Sequence, residues 1–388
     1  MKKIIAISVM FVLLTGAAFA ADVSGAVIGS ATVLQGDTKE GSKVTSGGGL
    51  SRVRLEGAGG DEGGTFGGWV RFDPTGGTAI NGIASGLVWW KPIDQFKLTL
   101  GGNPDGHFGK EGVTGWMFYQ TAYDTAAVVA GNVWGWGPAD TESIGKWTGQ
   151  DKDDVNGGDY NLYGHDVIFR NAFFGGFGGG DGTILEITPS DMLSINVVLP
   201  FFGGGETADV FKSAIAQLDV KLDFGNIALT YAGSAGDGKK IFVYYGGSFG
   251  AIALDVGFGY TMPNEDKTKN PMAIGLGLKY GADAFGVKVR AIGKLAGEDK
   301  ATRILADILP YFVLSDSLRA FVSVGLGMIL PDQGNSWMDW HFNPYLEVGQ
   351  EWGAKFVAGI KVWQDFNGDK DIGGSMHWAV PIGLIVSF

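Results

Sequence analysis

The sequence contains no cysteine, so neither a disulfide framework nor a thiolate nucleophile or thiolate metal site is available to it. Its four histidines are scattered. Charged residues make up only 18% of the chain and acid exceeds base, giving a net charge of −12, which argues against a nucleic-acid partner, since phosphate backbones reward basic surfaces. Also missing beyond residue 20 is any run of roughly 18 apolar residues, the minimum for a helix that crosses a bilayer. Yet 45% of the residues are hydrophobic and the mean hydropathy is +0.12. An exported chain this apolar without a spanning helix either folds as a soluble β protein or alternates its apolar residues along the strands of a membrane barrel. No linker or break in composition divides it into separate domains.

Export is expected from the first residues. Met1-Lys2-Lys3 precedes an apolar run over residues 4–14 and an Ala18-Phe19-Ala20 site, the pattern of a secretory signal peptide spanning residues 1–20 and cleaved before Ala21. Residues 21–388 form the mature unit. Sixty-seven glycines and twelve tryptophans suit a protein of many tight turns with aromatic residues at two interfaces. Residues 376–388 alternate cleanly: Met376, Trp378, Val380, Ile382, Leu384, Val386 and Phe388 are large and apolar, with His377, Ala379, Pro381, Gly383 and Ser387 between them. A period of two lays one side of an extended strand in an apolar medium.

From residue 183 onwards the same alternation repeats in hairpins whose connections are short at one end and long and polar at the other. Three short connections share one design, Trp90-Lys91-Pro92-Ile93-Asp94, Ile187-Thr188-Pro189-Ser190-Asp191 and Val313-Leu314-Ser315-Asp316, each with an Asp placed to hold a turn. Residues 246–250 and 59–62 read as further short connections. Five strands before Asn103 and thirteen from Thr183 make about 18, an even number as single-chain barrels require, with 16 to 20 open. The fold expected is all-β, a transmembrane antiparallel up-and-down barrel with short periplasmic turns and long extracellular loops. Residues 103–180 form a long loop that would fold into the pore or lie outside it, and two further strands around residues 116–121 and 168–174 remain open.

Assigning the large apolar residues to lipid sends their alternates to the lumen. That set holds Arg52, Arg54, Arg71, Lys221, Lys279 and Lys288, then Arg290, Lys294, Arg319, Lys355 and Lys361, with the acids Glu56, Asp73, Asp219, Asp255, Asp307, Asp339 and Glu347. The wall therefore leans basic although the chain is acidic. Acid concentrates in the long segment, where Asp140, Glu142, Asp151, Asp153, Asp154 and Asp159 are candidates for a constriction facing the basic wall, a transverse field that would filter small polar solutes. Solvation on an exposed loop is the competing reading of those charges.

Other chemistry is thinly supported. Asp339 and His341 lie two apart on one strand face, enough for an acid–base pair, but no serine stands in a nucleophile elbow. Residues 365–371 space oxygen ligands like a calcium loop but lack the glycine at the sixth position and the glutamate at the twelfth. The glycine run at residues 175–180 lacks the Lys-Ser/Thr of a phosphate loop. No enzyme, metal or cofactor is expected. Trp134, Trp136 and Trp147 inside the long segment favour sugar stacking, and interface girdles account for Trp90, Trp352, Trp363 and Trp378.

Taken together, the signal peptide, the alternating strands, the short and long connections, the segment after the fifth strand and the terminal Phe388 resemble a bacterial outer-membrane porin. The glycine-rich strands and repeated corners resemble porin-like barrels of spirochaetes in particular. The resemblance implies a water-filled channel in the outer membrane for passive diffusion of small polar solutes and ions. It also implies outer-membrane lipid around the barrel and assembly machinery that reads Trp378, Val380, Ile382, Leu384, Val386 and Phe388; a homotrimer stays open. A Pro-Glu-Phe-type loop motif of general porins is missing. A channel specific for a sugar or hydrophobic solute, and a non-conducting surface adhesin, are the alternatives.

Overall fold

A computed structural model describes residues 20–37, 41–43, 47–61, 64–72, 84–101, 182–200, 214–233, 239–262, 272–295, 301–331, 337–349, 353–365 and 376–387. All its regular elements are strands: β1 (Ala20–Asp37), β2 (Gly41–Lys43), β3 (Gly47–Gly60), β4 (Phe66–Phe72), β5 (Ala84–Ile93), β6 (Phe96–Gly101), β7 (Gly182–Ser190), β8 (Leu193–Pro200), β9 (Ile215–Leu222) and β10 (Gly225–Ala232). The series continues with β11 (Lys239–Phe249), β12 (Ile252–Met262), β13 (Met272–Gly281), β14 (Phe285–Leu295), β15 (Ala301–Ser315), β16 (Leu318–Pro331), β17 (Trp337–Gly349), β18 (Ala354–Gly359), β19 (Lys361–Asp365) and β20 (Met376–Ser387). No helix among these residues is long and apolar enough to cross a membrane.

All pairings are antiparallel, and they run full circle. β1 is hydrogen-bonded to β3 on one side, Ala26 opposite Arg54, and to β20 on the other, Ala26 opposite Ser387. Closure leaves no edge strand with unpaired N–H and C=O groups facing lipid. Two of the twenty elements are parts of longer staves. β2 prolongs the β1–β3 hairpin beyond Gly47. β18 and β19 share β17 and β20 as partners in one unbroken register, and at the break the Ile360 N–H donates to the Pro344 carbonyl at 3.0 Å. The barrel therefore has eighteen staves, five before residue 102 and thirteen after residue 181.

Alternation dictates which side each residue takes. In β13, Ile274, Leu276 and Tyr280 are exposed while Gly275 and Gly277 are buried; in β10, Ile227, Leu229 and Tyr231 are exposed while Ala228 and Thr230 are sealed. A water-soluble sheet would hide the first set. In these strands the large apolar side chains point outwards and the small or polar ones inwards, the arrangement a strand needs between lipid and a polar interior.

The short-turn rim has one repeated design. At Trp90/Ile93, Ile187/Ser190 and Val313/Ser315 the register slips just before a two-residue turn that begins with Asp94, Asp191 or Asp316. The three similar corners in the sequence are thus three copies of one bulged turn. Adjacent hairpins are laced together along this rim: the carbonyls of Thr65, Gln95, Met192, Ala251, Ala284 and Ser317 accept from the N–H groups of Lys91, Thr188, Lys221, Gly281, Val313 and Gly349.

Two connections differ from the sequence expectation. Residues 246–249 are not a turn, because β11 continues through them to Phe249 and only Gly250-Ala251 reverse the chain. A Cβ on Gly246 would lie 2.1 Å from Tyr244 Oη, and one on Gly247 2.3 Å from Tyr245 Oη, so these glycines serve as floor for neighbouring rings. β3 likewise runs on to Gly60, so its connection to β4 starts at Asp61 and ends before Phe66, shifted from the expected residues 59–62 and overlapping them only in part, with Gly64 at φ 66°. The signal peptide before Ala20, the two optional strands around residues 116–121 and 168–174, and Phe388 lie outside the described residues.

Candidate permeation wall

The inward alternates build a wall that is polar at its middle. Asn196, Gln217 and Thr230 stand side by side on β8, β9 and β10. Thr230 Oγ1 donates to Gln217 Oε1 at 2.9 Å, and Gln217 Nε2 donates to Asp219 Oδ2 at 2.8 Å, where Asn196 Nδ2 arrives at 3.2 Å. Each amide spends its donors on a neighbouring acceptor, which is how buried polar groups avoid a desolvation penalty. Further round, Tyr244 Oη donates to Asp255 Oδ1 at 2.5 Å, with Asp255 sealed from solvent. Asn343 and Glu347 are buried on β17.

Towards the short turns the wall becomes charged. Lys97 Nζ is 3.8 Å from Glu186 Oε2 and 5.8 Å from the centroid of Trp89, whose ring lies where a Cβ on Gly67 would be. Lys355 Nζ is 3.2 Å from Glu347 Oε1. At the turn between β3 and β4, the Phe66 N–H donates to Asp61 Oδ1 at 2.8 Å, and that hydrogen bond holds the Asp61 carboxyl below the usual carboxylate range. Three rings make a ladder across β15, β16 and β17: Tyr311 and Phe321 have centroids 5.8 Å apart, and Phe321 stacks on Tyr345 at 4.8 Å and 6°.

Of the expected lumen residues, Lys221, Lys279, Lys288, Arg319 and Lys355 belong to the inward set, Lys221 and Arg319 exposed and the other three half-buried. Asp219, Asp255 and Glu347 are inward and buried. Register sets Arg52 opposite Ile28, Arg54 opposite Ala26, Arg71 opposite Glu56, Arg290 opposite Asp307, Lys294 opposite Arg303 and Lys361 opposite Ala379. Asp339 faces Gly327 and Asp365. Trp90, expected in a girdle, is outward and exposed. Asp73, the constriction candidates Asp140, Glu142, Asp151, Asp153, Asp154 and Asp159, the Trp134–Trp136–Trp147 cluster and the glycine run lie outside the described residues. So does the 365–371 loop beyond Asp365, and no group of three metal-ligating side chains occurs among the described residues. Following charge alone through the alternation does not reach the neutral polar residues Thr99, Asn196, Gln217, Thr230 and Asn343; their signal is polar residues at successive alternate positions, Ser194 and Asn196 on β8 and Gln217, Asp219 and Lys221 on β9.

No protein-family model matches the chain, and no curated protein does. Among solved structures it is similar to OccK11 (OpdR) of Pseudomonas aeruginosa, with a TM-score of 0.51 at 9% identity over 95% of both chains. It is similar also to OpdQ of the same organism, with a TM-score of 0.51 at 10% identity over 95% of this chain and 98% of that one. A third is OmpT, an outer membrane protein of Vibrio cholerae, in its in-vitro folded form, with a TM-score of 0.50 at 10% identity over 95% of this chain and 97% of that one. At these identities the likeness is one of fold.

Proposed function

The chain has the fold of bacterial outer-membrane porins, and from that premise we propose that it forms a water-filled channel for passive diffusion of small polar solutes and ions. The observation that carries this reading is the inverted wall, with large apolar side chains exposed outwards and Asn196, Gln217, Asp219, Thr230, Asp255 and Glu347 turned inwards. A barrel of eighteen staves is wide enough to hold water, and a polar lining keeps it wet. Liposomes carrying the protein should swell in small sugars and respond less as the sugar grows; swelling no faster than protein-free liposomes would overturn the reading.

In this reading residues 103–180 enter the lumen, and Asp140, Glu142, Asp151, Asp153, Asp154 and Asp159 face the basic wall. Support comes from a row of inward residues, Thr99, Ile184, Val198 and Ile215, which sit opposite one another on β6 to β9 and are at most 2% exposed. Apolar side chains on the wall of an open pore would be wet. Their burial, beside the strand ends that lead into the long segment, fits a covering chain. Deleting residues 134–163 should raise single-channel conductance, and an unchanged conductance would remove the constriction role.

The remaining assignments belong to the same proposal. Residues 1–20 direct export, and Trp378, Val380, Ile382, Leu384, Val386 and Phe388 mark the strand read during assembly, a role suited to β20 because it closes the sheet on β1. Light scattering in detergent distinguishes a single barrel from a homotrimer. The Tyr311–Phe321–Tyr345 ladder favours, as a second reading, a channel that selects sugars by stacking; block of the current by one sugar and not by its isomers would distinguish it.

A further inference from the structure

Five lysines among the described residues are half-buried: Lys91, Lys97, Lys279, Lys288 and Lys355. Three of them have a carboxylate at hand, with Lys91 2.9 Å from Asp94, Lys97 3.8 Å from Glu186 and Lys355 3.2 Å from Glu347. Lys279 and Lys288 have none among the described residues, and they stand directly opposite each other on β13 and β14. Like charges in that relation repel, with Cβ atoms about 5 Å apart.

The surrounding wall supplies little relief. On its other side Lys279 faces Ala253, and Lys288 faces Leu309, which is buried. Asp255 is diagonal to Lys279, but it is sealed and its Oδ1 takes the Tyr244 hydroxyl. Asp307, diagonal to Lys288, is directly opposite Arg290. Gly277, Gly281 and Gly286 occupy three of the nearby inward positions, with Arg290 opposite Gly277 at a fourth, so the three glycines leave room beside the two lysines. The Tyr311 hydroxyl reaches into that room: it would lie 3.4 Å from a Cβ on Gly281 and 2.3 Å from one on Gly286.

We propose that Lys279, Lys288 and the Tyr311 hydroxyl form an oxyanion site on the inner wall, which takes the phosphate or carboxylate group of a passing solute. Two ammonium groups and one phenol offer donors to separate oxygens of one group, and charge-assisted bonds of this kind are the strong ones. The anion removes the repulsion that the fold otherwise carries. The site rests on the porin reading for its access to solute, and it assigns that pore a preference for small oxyanions.

Full-length protein refolded in detergent is titrated with inorganic phosphate by calorimetry, and the same protein is recorded in planar bilayers in KCl with phosphate added. The wild type should bind phosphate and lose current as phosphate rises. Lys279→Gln or Lys288→Gln should each weaken binding about tenfold or more, their combination should abolish the block, and Tyr311→Phe should weaken binding a few-fold. Lys239→Gln, exposed on β11, should match the wild type, and unchanged urea midpoints show that the variants fold. Phosphate affinity unchanged in the double variant, or absent in the wild type, overturns the site. Conduction without any phosphate effect defeats the site and leaves the porin reading standing. Phosphate binding by a silent barrel does the reverse.

Discussion

Replacing Gly286 with alanine tests how the inner wall is packed. The added Cβ would lie 2.2 Å from Tyr311 Cζ and 2.5 Å from its Cε1, distances no pair of carbons sustains, so the ring must leave its place. Overpacking of this kind costs about 1–3 kcal/mol, and displacing Tyr311 from Phe321 forfeits about 0.5–1.5 kcal/mol more. Alanine recovers about 0.5–1 kcal/mol of backbone entropy relative to glycine. The net expectation is a loss of about 1–3 kcal/mol. Gly293, on the same strand, has nothing within 4 Å of its would-be Cβ, so Gly293→Ala should be neutral or stabilising by about 0.5 kcal/mol. Urea unfolding of the barrel in phospholipid vesicles, followed by tryptophan fluorescence, reads both. In a Tyr311→Ala background the Gly286→Ala penalty should largely vanish, since its cause is gone. A Gly286→Ala variant as stable as the wild type, or one equally damaged without Tyr311, would refute the packing argument.

Three further outcomes are expected. Lys355→Met should cost about 2 kcal/mol of stability in the same unfolding assay, because it strands Glu347, only 7% exposed at its side chain, without its 3.2 Å partner; a neutral result would show that Arg319, opposite Glu347, takes over fully. The Asp61 carboxyl is lowered in the folded state by the Phe66 N–H, so its contribution is complete above the unfolded carboxyl value near ~3.9 and is lost as pH falls through the lowered folded value. The wild-type advantage over Asp61→Ala should therefore be full at neutral pH and shrink below about pH 4; an advantage that grows in acid contradicts the sign. Val380→Asp, on the outward set of β20 opposite Leu34, should block insertion into vesicles because a charge there meets hydrocarbon, and efficient insertion would place that face elsewhere.

The stave number was legible because each stave repeats one signal, a period of two bounded by turn residues. Five before residue 103 and thirteen after 182 emerge from the alternation alone. The three corners at Asp94, Asp191 and Asp316 were legible for the same reason, since repetition of a sequence motif reflects repetition of a backbone device. Gly246 and Gly247 misled because glycine signals turns locally, whereas here Tyr244 and Tyr245, each two residues earlier on the same strand, lay their rings over them, a relation set by χ angles that residue type alone does not reveal. Lys279 and Lys288 could be placed on the inner face from sequence, but their opposition depends on the β13–β14 register. The hydrogen-bonded set of Asn196, Gln217, Asp219 and Thr230 likewise needs three strands in register before its partners meet.

A polar lumen running through an apolar barrel must carry ions across a bilayer. Single-channel recording of the purified full-length chain in planar bilayers tests it most directly. Discrete, long-lived steps should appear, with a current linear in voltage that scales with KCl concentration. A barrel that inserts, as judged by protection of its strands from added protease, yet leaves the membrane as resistive as protein-free lipid would contradict it.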